Sequence, residues 1–288
     1  IYGSENRHDL SAWKAVRDNE FISGQFLWTG IDYLGESGRW PSRGFYSGLL
    51  DFGGFIKPRG YYRQSLWSDK PMAYLGTYPT PGKGSRSQDN DVWSQLENSN
   101  RSNYEEKVPS IDAWPVWNYR EGQLIRVVAY TNGARARLEL NGKVVGEEKP
   151  YDDIIFWDIP FQAGKLEVVA SDKNGRESAR QAITSSGRPH KIDILSVEKS
   201  GDLTQVIVQV KDENGIPVTL SDDEITIEIA GPATLLGMEA GNNQDMTDYT
   251  DNKHRVFRGR MVIYLRMGSE PVRVRLISPW LVSTEREM

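Results

Sequence analysis

The chain has 288 residues, a length that suits two or three domains, with 38% hydrophobic and 26% charged side chains, a globular balance that excludes a disordered chain. A formal net charge of -5 without any Lys/Arg cluster argues against a nucleic-acid surface, and apolar runs of only a few residues fall far short of the roughly 20 needed for a membrane helix. With no cysteine, disulfides and thiolate metal sites are excluded.

The chain opens at Ile1 without an initiator Met, a charged leader or an apolar signal segment, and is read as a piece of a longer polypeptide. Its first segment, Tyr2–Asn6 (YGSEN), sets Glu5 on a short Gly/Ser-bearing stretch just ahead of a helix. Two readings are open for Glu5. It is a helix N-terminal carboxylate favoured by the dipole, or a catalytic group where a barrel strand hands over to its loop. Asp9–Asp18 then predicts a short helix with Asp9 as N-cap and Leu10, Trp13 and Val16 along one face. Phe21–Thr29 predicts a buried strand bounded by Gly30. A long Gly-rich stretch, Gly30–Pro58, precedes a second short helix, Tyr61–Trp67. Loops of that length are usually functional or disordered, and the aromatic density speaks against disorder. The order helix, strand, long loop, helix is that of the end of a (β/α)8 barrel, which needs about 250 residues when whole.

A polar segment, Pro79–Asn103, follows and is read as a linker or a long excursion, without a function of its own. Beyond it, strands are predicted at Leu124–Tyr130, Arg135–Leu140, Lys143–Val145, Ile154–Ile159 and Lys165–Ala170, with Asn141-Gly142 as a type I′ hairpin turn. A second strand-rich stretch has Lys191–Glu198, Leu203–Val210, Glu224–Ile229, Arg260–Arg266 and Val272–Ile277. Short strands at this spacing indicate β-sandwiches. The organisation read from the chain is therefore mostly β: a slice of barrel over residues 1–75, a linker with an immunoglobulin-like sandwich over 76–190, and a second such sandwich over 191–288.

The strings YGSEN, then DNEFISGQFLWTGIDYLGE (Asp18–Glu36), then WPSRGFYSGLLDFGGFIKPRGYYRQSLW (Trp40–Trp67) resemble the end of the catalytic barrel in family 2 glycoside hydrolases of the β-galactosidase type, as found in Bacteroides-like bacteria. AYTNGARARLELNGKVVGE, VKDENGIPV and GPATLLGMEAGNN resemble, with less specificity, the immunoglobulin-like domains that follow it. The resemblance implies that Glu5, in the SE segment ending the seventh strand, is the catalytic nucleophile. It further implies that Trp28 of the eighth strand shapes the sugar subsite, and that the loop carrying Asp32, Tyr33, Glu36 and Trp40 borders the pocket. It implies hydrolysis of terminal β-D-galactosides with retention, no cofactor, and a periplasmic or extracellular location.

The departure from the family is equally informative. The acid/base Glu of an Asn-Glu pair lies upstream in such enzymes, and Asn19-Glu20, the only such pair here, falls between the helix and the eighth strand, at the wrong end for catalysis. The chain alone is therefore expected to be inactive and to depend on the missing N-terminal part of the same enzyme. The rival reading is a non-catalytic carbohydrate-binding or structural β-sandwich module, with Trp114, Trp117 and Trp157 either a sugar platform or core. His8, His190 and His254 are scattered without ligand spacing, so no metal is expected from them. The loop Asn242–Asp251 is rich in carboxylates but lacks the spacing of a calcium loop.

Overall fold

A computed structural model describes residues 1–80, 109–150 and 153–288; from residue 81 on, the linker reading of Pro79–Asn103 lies outside the described residues. The chain is mostly β, with two short helices. It divides into two compact units, the first made of Ile1–Arg39, Phe45–Leu50 and Ile56–Ser185, the second of Trp40–Gly44, Asp51–Phe55 and Ser186–Met288.

The first unit opens with β1 (Tyr2–Asn6), α1 (Leu10–Arg17) and β2 (Gly24–Leu27), a β-α-β turn whose strands pair in parallel. The Asp9 carboxylate caps α1 as the sequence predicts, accepting the Ala12 N–H at 2.8 Å. The strand predicted over Phe21–Thr29 is shorter than expected and is not buried: Phe21 and Phe26 are 64% and 66% exposed. Its only described strand neighbour is β1, whose Tyr2 ring lies 6.0 Å from that of Phe26. After β3 (Tyr33–Leu34) and β4 (Gly44–Phe45) comes α2 (Pro58–Trp67), begun by a proline at its first position, where no N–H is needed.

A sandwich follows. One sheet has the order β5 (Ala73–Pro79), β6 (Leu124–Thr131), β9 (Ile154–Pro160). The other has the order β11 (Glu177–Thr184), β10 (Lys165–Ser171), β7 (Arg135–Leu140), β8 (Lys143–Pro150). Between them lie Ile125, Val127, Ala129, Leu138, Leu166, Val168 and Trp157. The other face of β6 carries Val128 and Tyr130, which pack with Tyr62 of α2 and with Tyr74; the Tyr74 and Tyr130 rings stack at 5.1 Å. A strand buried on both faces needs near-continuous apolar residues, which is why LIRVVAY does not alternate. Trp117 and Trp157 are 1% and 5% exposed, each indole N–H spent on a backbone carbonyl, so these two belong to the core and not to a sugar platform.

Packing by α2 also orders the β-α-β turn. The buried Arg63 guanidinium lies 4.6 Å over the Trp67 ring and 5.7 Å from that of Trp13, and donates to the His8 carbonyl. Amides of β6, central between two partners, are expected to exchange with deuterium only on global opening, and those of β2 much sooner but still slower than in an unfolded chain. Exchange across Gly24–Leu27 at the unfolded rate would show that the β1–β2 pair does not form. Gly76 of β5 approaches Ala113 so closely that a Cβ there would stand 2.1 Å from its carbonyl oxygen. Gly76→Ala is expected to cost about 1–3 kcal/mol in urea unfolding by overpacking.

The second unit contains one sheet in the order β15 (Ala233–Glu239), β17 (Arg260–Met267), β13 (Leu203–Lys211), β12 (Lys191–Ser200), β19 (Leu281–Glu287), β18 (Arg273–Ser278), β14 (Glu224–Ala230), β16 (Lys253–Arg255). Its two halves meet at the single parallel pair Lys191↔Val282 and close on a core that includes Val206, Val208, Ile225, Met261, Ile263 and Leu276. Segments of the long loop are built into this unit. Arg43 pairs with Glu239 at 2.6 Å, and the Gly44 N–H donates to Asn243 Oδ1 at 2.9 Å. The carboxylates of the Asn242–Asp251 loop are used locally: Asp245 and Asp248 accept from the Thr247 and Thr250 backbones, and Asp245 stands 3.3 Å from His254. Among the described residues no group of three His, Asp or Glu side chains is placed to hold a metal.

Candidate active site

The site residues of the first unit gather where β1 and β2 end. Gly3 pairs with Gln25 and Asn6 with Leu27, so Ser4 and Glu5 together oppose Phe26 alone. This is a β-bulge, a device that bends a strand and re-aims a side chain. Glu5 adopts φ +52°, in the left-handed region, where a non-glycine residue other than Asn or Asp is uncommon and costs free energy. Its side chain is exposed.

Trp28 follows β2 and donates its N–H to the Asn6 carbonyl at 3.4 Å, which places its ring, 40% exposed, at the same strand ends as Glu5. Tyr33 stands edge-on to Trp28, centroids 5.9 Å apart, and is flanked on another side by Phe45 at 5.9 Å. The Tyr33 hydroxyl donates to the Glu36 carboxylate. Removal from solvent, the bond to Glu36 and the field of Glu5 raise the Tyr33 pKa above that of a free phenol, so the hydroxyl remains a donor at neutral pH. The structure thus brings Glu5, Trp28, Tyr33 and Glu36 together.

Asp32 takes a different place. Its carboxylate is buried, paired with Lys57 Nζ at 2.8 and 3.1 Å, and it accepts the Gly48 N–H at 2.8 Å. Burial pushes the Asp32 carboxyl up and the Lys57 ammonium down, against their mutual attraction; the ion pair is the form that its hydrogen bonds favour. Lys57 also donates to the Tyr46 carbonyl. Only glycine fits at position 48, where a Cβ would stand 2.2 Å from the Asp32 nitrogen. Asp32 therefore ties the two arms of the loop together, one residue before Tyr33. Trp40 belongs to the second unit, where it is 76% exposed.

His8, set aside in the sequence as a stray histidine, is buried just past β1, its Nε2 2.8 Å from the Ser47 carbonyl. Burial and the Arg59 charge lower its pKa, so at neutral pH it is an uncharged ring with Nε2–H as donor. Nothing in its spacing marked it, because its partner lies 39 residues away in the loop.

Residues 196–285 match the glycoside hydrolase family 2 C-terminal domain 5, and residues 122–179 match a domain of unknown function, DUF4982. The β-galactosidase BoGH2A of Bacteroides ovatus is 30% identical over 282 residues, covering 94% of this chain and 28% of that protein. A β-glycosidase crystal structure from Bacteroides vulgatus superposes with a TM-score of 0.77 at 27% identity, over 96% of this chain and 32% of that one. A family 2 β-glucuronidase shares the fold at 16% identity, with a TM-score of 0.72 over 93% of this chain and 25% of that one. Residues 196–285 are thus a glycoside hydrolase family 2 C-terminal domain, and the chain as a whole is similar to part of longer family 2 proteins. It spans between a quarter and a third of the length of these relatives.

Proposed function

We propose that the chain is the C-terminal part of a retaining, exo-acting glycoside hydrolase that removes terminal β-D-galactosyl residues, with Glu5 as the nucleophile. The observation that carries this reading is the left-handed bulge that presents Glu5 beside Trp28 at the ends of two parallel strands. In α/β barrels the strand ends are where catalytic groups stand, and the β1–β2 pair is proposed to be the seventh and eighth strands of such a barrel. The other six are expected from the N-terminal part of the same enzyme, and would cover the exposed Phe21 and Phe26.

Retention requires two carboxylates about 5 to 5.5 Å apart. Glu5, ionised, would attack the anomeric carbon while an acid from the missing part protonates the departing glycosidic oxygen. Water would then attack the glycosyl-enzyme ester with that same acid, now a base, taking its proton. Trp28 would offer its ring to the C–H face of the sugar, with Tyr33 as a further contact and Asp32 as the group that fixes the loop before it. Galactose is preferred because BoGH2A is a β-galactosidase. The test is to treat the full-length protein with an activated 2-deoxy-2-fluorogalactoside and digest it. A fluorogalactosyl mass on the peptide containing Glu5 is expected; a label on another carboxylate, or none in an active enzyme, overturns the assignment.

A further inference from the structure

We infer that Glu36, fixed by the Tyr33 hydroxyl, is a specificity-determining residue that turns away sugars bearing their own carboxylate, so that the site takes neutral β-glycosides over β-uronides. This rests on the reading of Glu5 and Trp28 proposed above and names the residue that sets its substrate class.

The placement of Glu36 is over-determined. It follows Gly35 at φ +85° and itself adopts φ +46°, two successive left-handed residues that turn the chain back on Tyr33. Of the five described non-glycine residues with positive φ, two are the glutamates of this one cluster. A glycine or asparagine would hold the turn at less cost, so the backbone alone gives no reason for a glutamate there. Its side chain has a specific use: it accepts from Tyr33, which stands against Trp28, the residue bonded to the backbone beside Glu5. The Tyr33 phenol feels both carboxylates, each of which raises its pKa, so Glu5 and Glu36 act on one small region of space.

The two cations packed against Tyr46 of the loop are engaged elsewhere. Lys57 is taken by Asp32, and Arg59 is paired with Asp112. A uronate held on Trp28 would bring a third carboxylate into a region already occupied by two, and like charges at that distance repel. A neutral sugar meets the opposite condition. Tyr33 occupies one of the acceptor sites of Glu36, and a sugar hydroxyl can donate to another in a charge-assisted bond. The same carboxylate thus favours one substrate class and rejects the other, which is how specificity is commonly divided between attraction and repulsion.

The experiment uses the full-length protein and compares kcat/KM for nitrophenyl β-galactoside with that for nitrophenyl β-glucuronide. Glu36→Gln, which keeps the shape and the acceptor for Tyr33, is expected to shift the ratio toward the glucuronide by about tenfold or more, and Glu36→Lys further still. Tyr33→Phe, which releases Glu36 without removing its charge, is expected to shift it less than Glu36→Gln does. A ratio that stays within twofold in both Glu36 variants, with melting temperatures matching wild type, overturns the inference while leaving the hydrolase reading intact. If wild type cleaves neither glycoside, or Glu5→Gln remains active, the hydrolase reading fails and this inference falls with it.

Discussion

Glu5→Gln in the full-length protein is expected to lower kcat on a nitrophenyl β-galactoside by at least about 10³-fold, with the melting temperature unchanged. Glutamine keeps the size and polarity of the side chain but cannot form the glycosyl ester through which a retaining enzyme divides one difficult step into two. Stability should be unaffected because the Glu5 side chain is exposed. The left-handed φ of +52° is borne equally by either residue, so a loss of activity would report chemistry and not a relaxed backbone. Glu5→Ala sharpens the test: azide should restore turnover and deliver an α-glycosyl azide, because a small anion can then attack from the vacated side. Full activity in Glu5→Gln would remove the nucleophile assignment. The 288-residue chain alone should show no turnover, since one carboxylate without its partner supplies half of the retaining mechanism.

Much of the fold follows from local pattern. Arg135–Leu140 alternates strictly and forms β7 over those same residues, because one of its faces meets the sandwich core and the other meets solvent. The Asp9 cap is equally local, needing only the Ala12 N–H three residues on. Other elements depend on neighbours that the pattern does not contain. β5 includes Gly76 and ends in Pro79, signals that read as a connector, yet its pairing with β6 and the close approach to Ala113 make it a strand. Phe21–Thr29 has the composition of a buried strand, yet Phe21 and Phe26 are exposed and only β1 pairs with β2 among the described residues, because burial depends on neighbours and not on composition. The site divides in the same way. Tyr33 and Glu36 are three residues apart and were within reach of sequence reading, but the bulge that turns Glu5 outward, and the 39-residue span from His8 to Ser47, are tertiary facts. Resemblance, and not spacing, singled out Glu5 and Trp28.

The Asp32–Lys57 pair carries the largest expected stability effect. Its side chains are 1% and 6% exposed, and Asp32 also receives the Gly48 N–H, so each charge has lost its water and depends on the other. Removing one partner leaves the second buried and unpaired. Lys57→Met is therefore expected to destabilise the first unit by about 3–5 kcal/mol in urea unfolding. Asp32→Asn should cost somewhat less, because a neutral amide still accepts from both Lys57 and Gly48, though the ammonium is left without a counter-charge. The double variant Asp32→Leu/Lys57→Met should recover much of the loss, since replacing a buried pair by apolar side chains of similar volume is often close to neutral. Function need not recover with it. Lys57 also binds the Tyr46 carbonyl, and Asp32 joins Gly48 to the residue before Tyr33, so the full-length double variant should fold yet hold Tyr33 and Trp28 loosely, seen as a raised KM for galactoside with a smaller change in kcat. A double variant as unstable as Lys57→Met would show that the loop needs the hydrogen bonds themselves and not merely the absence of a lone charge. One with unchanged KM would show that the pair serves stability alone.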